Sequence, residues 1–518
     1  MDKDLLLIHC PLASVDLPPM GVAYIAAFAQ AQGVVCDILD LNALLHIRGT
    51  EKQKCLWDAE NYNHWIDEGL FDAIKDVLKE PVESWINYVL KQGYRTVGFS
   101  LTGSNLLFSI WLSQCLKASD ASICIVYGGP TVHFKHINLD PFRFLSSVTT
   151  GELLVNEKMV DYIVLGEGEK AIVDIVQAVK AGKPVDNPSV VTTTCKKLSN
   201  KLSYVDRLDD LPFPAWEKLS LNQYTVREEL PILFSRGCVN HCAFCNDWLI
   251  WNGKYRCRSA KNIFLEMKTM SRRYGKRSFR CNDLMFNGNL NMLDELSGLL
   301  IASGLEVNWG GQGYIRKDMT QQLLDKMYKA GLRDIVFGVE SLSDHVLVKM
   351  RKPFTFDDVL LVLKRTKAAG IRTHINLIVG FPGETEEDHL LTQERLGVLS
   401  PVLDTVANIN CCRLMADAPI ESCFDQFGIV CADKPNMCEA WGTIDGLNNL
   451  DIRQQRMDEM EHAVARSGIK RVIEPLKAPA LSQGHGWMVI CGHVWRVLLW
   501  LIAAVLLLKF VLRVLHSK

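Results

Sequence analysis

The sequence predicts an α/β chain of two parallel β/α domains: an N-terminal doubly wound sheet, then a partial (β/α)6 barrel of the TIM type, with a hydrophobic helix at the C-terminus. Three observations predict it. Short apolar runs rich in β-branched residues alternate with helix-period stretches from the first residues onward. A polar segment interrupts the alternation once, after which it resumes for six further units. The final segment then turns continuously apolar. At 518 residues the chain is also too long for one ordinary domain.

In the first domain, residues 1–183, "LLLIHC", "VVCDILDL", "TVGFSL", "ICIVYGG" and "DYIVLGEG" read as buried strands, and "MGVAYIAAFAQAQG" between the first two reads as a helix. Ligands of such a sheet sit at the carboxyl ends of its strands, which here carry Ser100, Thr102, Gly128, Gly129, Gly166, Glu167 and Gly168. Turn chemistry alone is the competing explanation for the glycines.

Residues 184–227, in which "KKLSNKLSYVDRLDDLPFPAWEKLSLNQY" carries two prolines and mixed charge, are expected to connect the domains. From 228 to 418, "PILFSRGC", "RSFRCNDLMF", "EVNWGGQGYI", "RDIVFGVES", "RTHINLIVGF" and "DTVANINCCRL" are the six strand candidates. The helical stretches "TQQLLDKMYKAG" and "FDDVLLVLKRTKAAG" each end on a Gly suited to a helix C-terminus. Chemistry in such a barrel gathers at the carboxyl ends of the strands. A C-terminal extension, 419–480, and a tail, 481–518, complete the chain.

Composition narrows the function. A net charge of -2 offers no basic field for nucleic acid. Seventeen cysteines are scattered through apolar runs of a large chain whose opening, "MDKDLLLIHC", carries no secretory pattern, so a reducing cytosol is expected, with most thiols filling core positions. Three are grouped differently: Cys238, Cys242 and Cys245 stand in "GCVNHCAFC", spaced C-x3-C-x2-C, at the end of the first barrel strand. Thiolates select zinc, copper or iron-sulfur clusters, and three of them on a four-iron cluster leave one iron open to a substrate. Zinc with His241 or Cys257 as fourth ligand is the competing reading, but it lacks the paired CxxC halves of zinc frameworks. Three unliganded core thiols fit poorly with the polar residues of the loop.

The loop resembles the signature of radical S-adenosylmethionine (SAM) enzymes. "PPMGVAYIAAFAQAQG", "VGFSLTGSN", "YGGPTVHF", "DYIVLGEGEKAIVDIV", "LDDLPFPAW", "FGVESLSDHVLVKMRKPFT" and "NLIVGFPGETEED" are similar to the subgroup with an N-terminal cobalamin-binding domain, which includes anaerobic porphyrin cyclases and hopanoid methylases. The resemblance implies a [4Fe-4S] cluster on Cys238, Cys242 and Cys245, SAM on its open iron, cobalamin in the Rossmann-like first domain, and an electron donor such as flavodoxin or ferredoxin. By position after their strands, Asn282, Asp283, Gln312, Arg316 and Glu340 are candidates for holding SAM or substrate, Glu340 foremost because a lone carboxylate ending an apolar strand needs a partner. Phe244 would lie over the adenine, and Gly380 would allow close backbone approach. Methylation of an unactivated carbon is the expected activity, with radical cyclisation or rearrangement, and a cofactor-binding module without turnover, as the alternatives.

The Asp-x-His-x-x-Gly motif of many cobalamin domains does not occur, so cobalt is expected to lack a protein histidine. Cys411, Cys412, Cys423, Cys431 and Cys438 raise the question of an auxiliary cluster, against which stands the lack of any CxxC pair. In the tail, Val497 to Leu508 is unbroken apolar sequence between Arg496 and Lys509, a candidate membrane anchor that would favour a lipid-like substrate; a packed helix is the alternative.

Overall fold

Leu5 and Leu7 point into one apolar core, and Leu6 and Ile8, the residues between them, into another. That period-2 split is what a strand buried on both faces requires. The strand is β1 (Leu5–His9) of a six-stranded sheet that also holds β2 (Cys36–Asp40), β3 (Thr96–Ser100), β4 (Cys124–Gly128), β5 (Tyr162–Val164) and β6 (Val190–Val191). Their order is β2-β1-β3-β4-β5-β6, parallel except for the edge pair β5–β6. Helices Met20–Ala31 and Gly168–Ala181 cover one face, and Phe71–Gln92 and Leu106–Ser119 the other. The computed structural model describes residues 3–133, 154–155, 159–192, 202–415, 417–431 and 441–471.

A second sheet follows: β7 (Glu229–Ile232), β10 (Ser278–Cys281), β11 (Asn308–Gly313), β12 (Leu332–Glu340), β13 (Arg372–Val379) and β14 (Thr405–Cys411), parallel throughout, with strands neighbouring in chain order. Five lie where the sequence placed them; β7 begins earlier and shares only Pro231 and Ile232 with the first candidate, whose Ser235 and Arg236 belong to a separate ribbon. Between β7 and β10 a short ribbon pairs β8 (Ser235–Arg236) with β9 (Arg256–Cys257). The glycines closing two helices are needed there: Gly331 and Gly370 have φ of +99° and +85°, and a Cβ on Gly331 would stand 2.0 Å from the Val307 carbonyl oxygen.

The faces of this sheet differ in chemistry. Ile335, Phe337, Val339, Ile375, Leu377 and Val379 join the helices in the core. The alternate positions, carried across the register Arg280–Gly310–Asp334–Arg372 and Gly338–Asn376–Asn408, form a face of mostly polar residues and glycines, with Val336 and Ile378 among them.

The first sheet extends to β6, beyond residue 183, and the connecting segment is packed rather than loose. Val205, Leu208, Leu211 and Trp216 are buried in one core with Ala23 and Tyr24 of the first domain and Leu230 and Ile263 of the second. At the far end, β15 (Ile429–Cys431) pairs with β16 (Trp441–Thr443), and helix Leu450–Arg466 packs against β14. The tail 481–518, with its candidate anchor, lies outside the described residues; among those described, no helix is long and apolar enough to cross a membrane.

Candidate active site

The cysteine triplet sits on an excursion whose neck is the β8–β9 ribbon. Asp283, just past β10, accepts hydrogen bonds from the Phe234 amide at 3.0 Å, the Ser235 hydroxyl at 2.6 Å and the Ser235 amide, fixing the chain on its way into the loop. Burial pushes its pKa up to about 6 in spite of these donors. Gly237 takes φ +90°, and a Cβ there would meet the Lys254 carbonyl oxygen at 1.8 Å, so no other residue fits. The middle of the loop is pinned by backbone bonds from Ala243 to Met350 (3.0 Å) and from Ile420 to Ala243 (2.8 Å). Ala243 packs there with Val346, Phe381 and Trp441.

Cys238 Sγ accepts from the Asn240 amide at 3.4 Å and lies 3.5 Å from Met285 Sδ. Burial raises the pKa of Cys242 and Cys245, the latter to about 12 with the Asp247 charge adding to the effect, so ligation there must displace a proton. Among the described residues no group of three or more His, Cys, Asp or Glu side chains is gathered closely enough to hold a single metal ion, the triplet included. His241 instead packs against Trp248 (centroids 4.9 Å apart), and Cys257 lies on the β9 ribbon. In the extension, Cys412 is buried beside Phe381 and Trp441, and Cys411 Sγ donates to the Arg453 carbonyl at 3.4 Å. Cys438 and the side chain of Cys431 lie outside the described residues.

Glu340 ends β12 with φ +74°, a left-handed conformation that costs a non-glycine residue about 1 to 3 kcal/mol. Its carboxylate lies 3.7 Å from Lys352 Nζ, which donates to the Gly338 carbonyl at 2.9 Å. Burial raises the Glu340 pKa and Lys352 pulls it back. The same ammonium lies 5.4 Å from the Phe244 ring and 5.5 Å from that of Tyr314, so Glu340, Phe244 and the Cys242 loop meet around one cation.

A cavity of about 400 Å³ separates this loop from the first sheet. Ser100, Gly128, Gly129, Gly166, Glu167 and Gly168 line it from one side, and Arg236, Gly237, Trp251, Asn282 and Asp283 from the other. Gly129 (φ +99°) is obligatory, since a Cβ would stand 2.5 Å from the Leu101 carbonyl oxygen. No histidine among the described residues lines the cavity. Arg236 bridges Glu167 at 2.9 Å and Glu169 at 2.6 Å, and Arg256 meets Glu167 at 2.6 Å. Burial alone would raise the Glu167 pKa, but the Arg256 hydrogen bond and both guanidinium charges hold it below the ordinary carboxylate range.

Six of the seven strand-end residues expected at a ligand therefore share one cavity, while Thr102 does not line it and its backbone amide donates to Asn105 Oδ1 at 2.8 Å. Glu167 and Asp283 face the cavity with their carboxylates already committed to protein groups. Arg316 is set apart, holding the Asn287 and Gly288 carbonyls (3.0 and 2.7 Å) and Asp318 (2.6 Å). The close approach expected at Gly380 is made by the protein: a Cβ would meet Arg453 Cγ at 2.3 Å, and the Gly380 amide donates to Glu384 at 2.6 Å. Sequence reasoning missed Arg236, Lys352 and the pair Glu384–Arg456 (3.0 Å). A buried basic residue one step before "GC" signalled the first; nothing local signalled that helix Leu450–Arg466 reaches back to the "GFPGE" turn.

Residues 232–396 match the family model described as Radical SAM superfamily, so the chain carries a domain of that superfamily. It is 24% identical over 301 residues to an uncharacterized methyltransferase of Pyrococcus horikoshii, covering 56% of this chain and 61% of that protein. It is 25% identical over 413 residues to cytidylyl-2-hydroxyethylphosphonate methyltransferase of Streptomyces wedmorensis, covering 71% and 70%. In fold it is similar to the radical SAM methyltransferase TsrM of Kitasatospora setae, solved with cobalamin and a [4Fe-4S] cluster, at TM-score 0.59 and 16% identity over 88% of this chain and 85% of that one.

Proposed function

We propose that the chain is a cobalamin-dependent radical SAM enzyme that methylates an unactivated carbon of a small molecule. Adjacency of two sites supports this most directly: three thiols begin one residue past Gly237, and Gly237 itself lines the cavity shared with the glycine-rich strand ends of the first sheet. Three soft ligands without a fourth fit a four-iron cluster with one open iron. The cavity wall from the first sheet joins Gly98, Gly128, Gly129 and Gly168 with apolar side chains such as Leu7, Ile25 and Val164, and suits a flat macrocycle laid against a doubly wound sheet. When bound, cluster, SAM and cobalamin together supply a 5'-deoxyadenosyl radical and a transferable methyl group.

The protein's part is placement and exclusion of water. Cys238, Cys242 and Cys245 would hold the cluster, and the ribbon β8–β9 with Asp283 fixes where that loop stands. Glu340, held beside Lys352, would accept hydrogen bonds from the amino or ribose groups of SAM, and Phe244 would cover its adenine. Arg236 and Arg256, tied to Glu167 and Glu169, set the spacing between loop and cavity. The second sheet, six β/α units in chain order, serves as the partial barrel, and a flavodoxin- or ferredoxin-type donor supplies electrons.

Anaerobic incubation of cobalamin-supplemented protein with reductant, cell extract and methyl-deuterated SAM tests this. The expected result is co-purified cobalamin, 5'-deoxyadenosine and a deuteromethylated product. If cobalamin does not bind while 5'-deoxyadenosine still forms, methylation is wrong and radical cyclisation or rearrangement takes its place.

A further inference from the structure

The face of the second sheet turned away from its helices is mostly polar, with Val336, between Gln312 and His374, and Ile378, beside Asn410, as half-buried apolar positions on it. Along β13 and β14 it presents His374, Asn376, Asn408 and Asn410, along β11 Gln312, and past β10 Asn282. Asparagine is depleted in strands, so three on two adjacent strands run against local propensity, as residues kept for a ligand do. Asn282, Gln312, Asn408 and Asn410 are exposed and Asn376 is half-buried, although they stand mid-sheet or at strand ends. Apart from an Asn408–Asn376 bond at 3.0 Å, these carboxamides make no side-chain hydrogen bond among the described residues. The space beside Gly310 and Gly338 is taken by carboxylates: a Cβ there would stand 2.1 Å from Asp334 Oδ1 and 2.9 Å from Glu340 Oε1.

Two further features define what such a face accepts. The charges below it cancel: Arg280 meets Glu229 (2.7 Å) and Asp334 (2.6 Å), and Arg372 meets Asp334 (2.9 Å), which leaves no unpaired ion in that layer to recruit a charged ligand. His374 is 1% exposed, and both ring nitrogens lack a partner. A buried imidazole with two open hydrogen-bonding positions stays dehydrated until something supplies a donor or acceptor.

We infer that Gln312, His374, Asn376 and Asn408 form the substrate subsite, and that it takes an uncharged small molecule bearing several hydroxyl or amide groups. This rests on the radical reading and narrows its substrate class. A lipid or hydrocarbon ring system would strip water from carboxamides without replacing their hydrogen bonds, which sites built to bond a polar group penalise heavily. The polar face therefore counts against the lipid-like substrate that the apolar tail suggested.

The test uses anaerobically reconstituted full-length protein and an extract from deuterium-grown cells, split into water-soluble and chloroform-soluble halves. Small molecules carried with the protein through rapid gel filtration should come from the water-soluble half. An Asn376→Leu/Asn408→Leu variant should retain at least tenfold less of them with its iron content unchanged. The same half should deliver deuterium into 5'-deoxyadenosine. Retention and deuterium transfer from the chloroform-soluble half would overturn the inference, as would equal retention by the variant. A water-soluble ligand retained without any 5'-deoxyadenosine would support the subsite and overturn the radical reading instead.

Discussion

Arg236 Nη1 stands 2.9 Å from Glu167 Oε1, with both side chains sealed from solvent. The pair joins the residue two before the first cluster cysteine to the carboxyl end of β5 in the other domain. Glu169 and Arg256 extend it into a network of two acids and two bases. Buried pairs of this kind add little net stability, but removing one partner leaves an uncompensated charge. Arg236→Gln should therefore cost about 3 to 5 kcal/mol in denaturant unfolding. Surface pairs such as Lys75–Asp72 should cost under about 1 kcal/mol when broken.

Gly237→Ala should prevent cluster assembly. The added methyl has no space beside the Lys254 carbonyl, and φ +90° is closed to alanine. Gly253→Ala, where a Cβ meets only His241 at 3.7 Å, should retain more iron than Gly237→Ala. Iron per chain after anaerobic reconstitution distinguishes the two.

Glu340→Gln keeps the side-chain volume and removes the charge facing Lys352. SAM cleavage by this variant should fall at least tenfold, about 1.4 kcal/mol of transition-state stabilisation, at unchanged iron content. Undiminished 5'-deoxyadenosine formation would reduce Glu340 to a structural partner of Lys352.

His374 should subtract stability as pH falls from about 6.5 toward 4, while Asp283 and Glu384, with pKa values raised to about 6 and about 7, act in the opposite direction. Burial lowers the His374 pKa from 6.5 to about 4, against the raising effect of Asp334 and Asp404 and with that of Arg372 and Arg280. Across that window the unfolded chain binds a proton that the folded chain refuses, so protonation favours unfolding. His133, also lowered to about 4, acts in the same direction. His374→Gln should remove the His374 contribution, so the urea midpoint of the variant should gain on that of the unaltered protein as pH falls from about 6.5 to 4.

The strands of the first sheet were legible because a parallel sheet buried on both faces writes itself as continuous apolar runs, and the cysteine loop because three thiolates at fixed spacing have few other uses. Pairings between distant segments were not. Nothing near Glu167 announces Arg236, and Asp283 reads as a loop acid although it clamps Phe234 and Ser235. The connecting segment looked polar because Asp209, Asp210 and Glu217 flank the residues that are buried, Leu208, Leu211 and Trp216. Arg453 at Gly380 and Arg456 at Glu384 come from a helix whose sequence shows only an amphipathic pattern.

The account stands most directly on the iron and 5'-deoxyadenosine chemistry of the triplet. Anaerobically reconstituted protein should hold about four irons per chain, with broad visible absorption bleached by reductant. It should also release 5'-deoxyadenosine from SAM, and the Cys238→Ala/Cys242→Ala/Cys245→Ala variant should lose cluster and product together. Stoichiometric zinc without iron, or 5'-deoxyadenosine formation that survives the triple substitution, would contradict it.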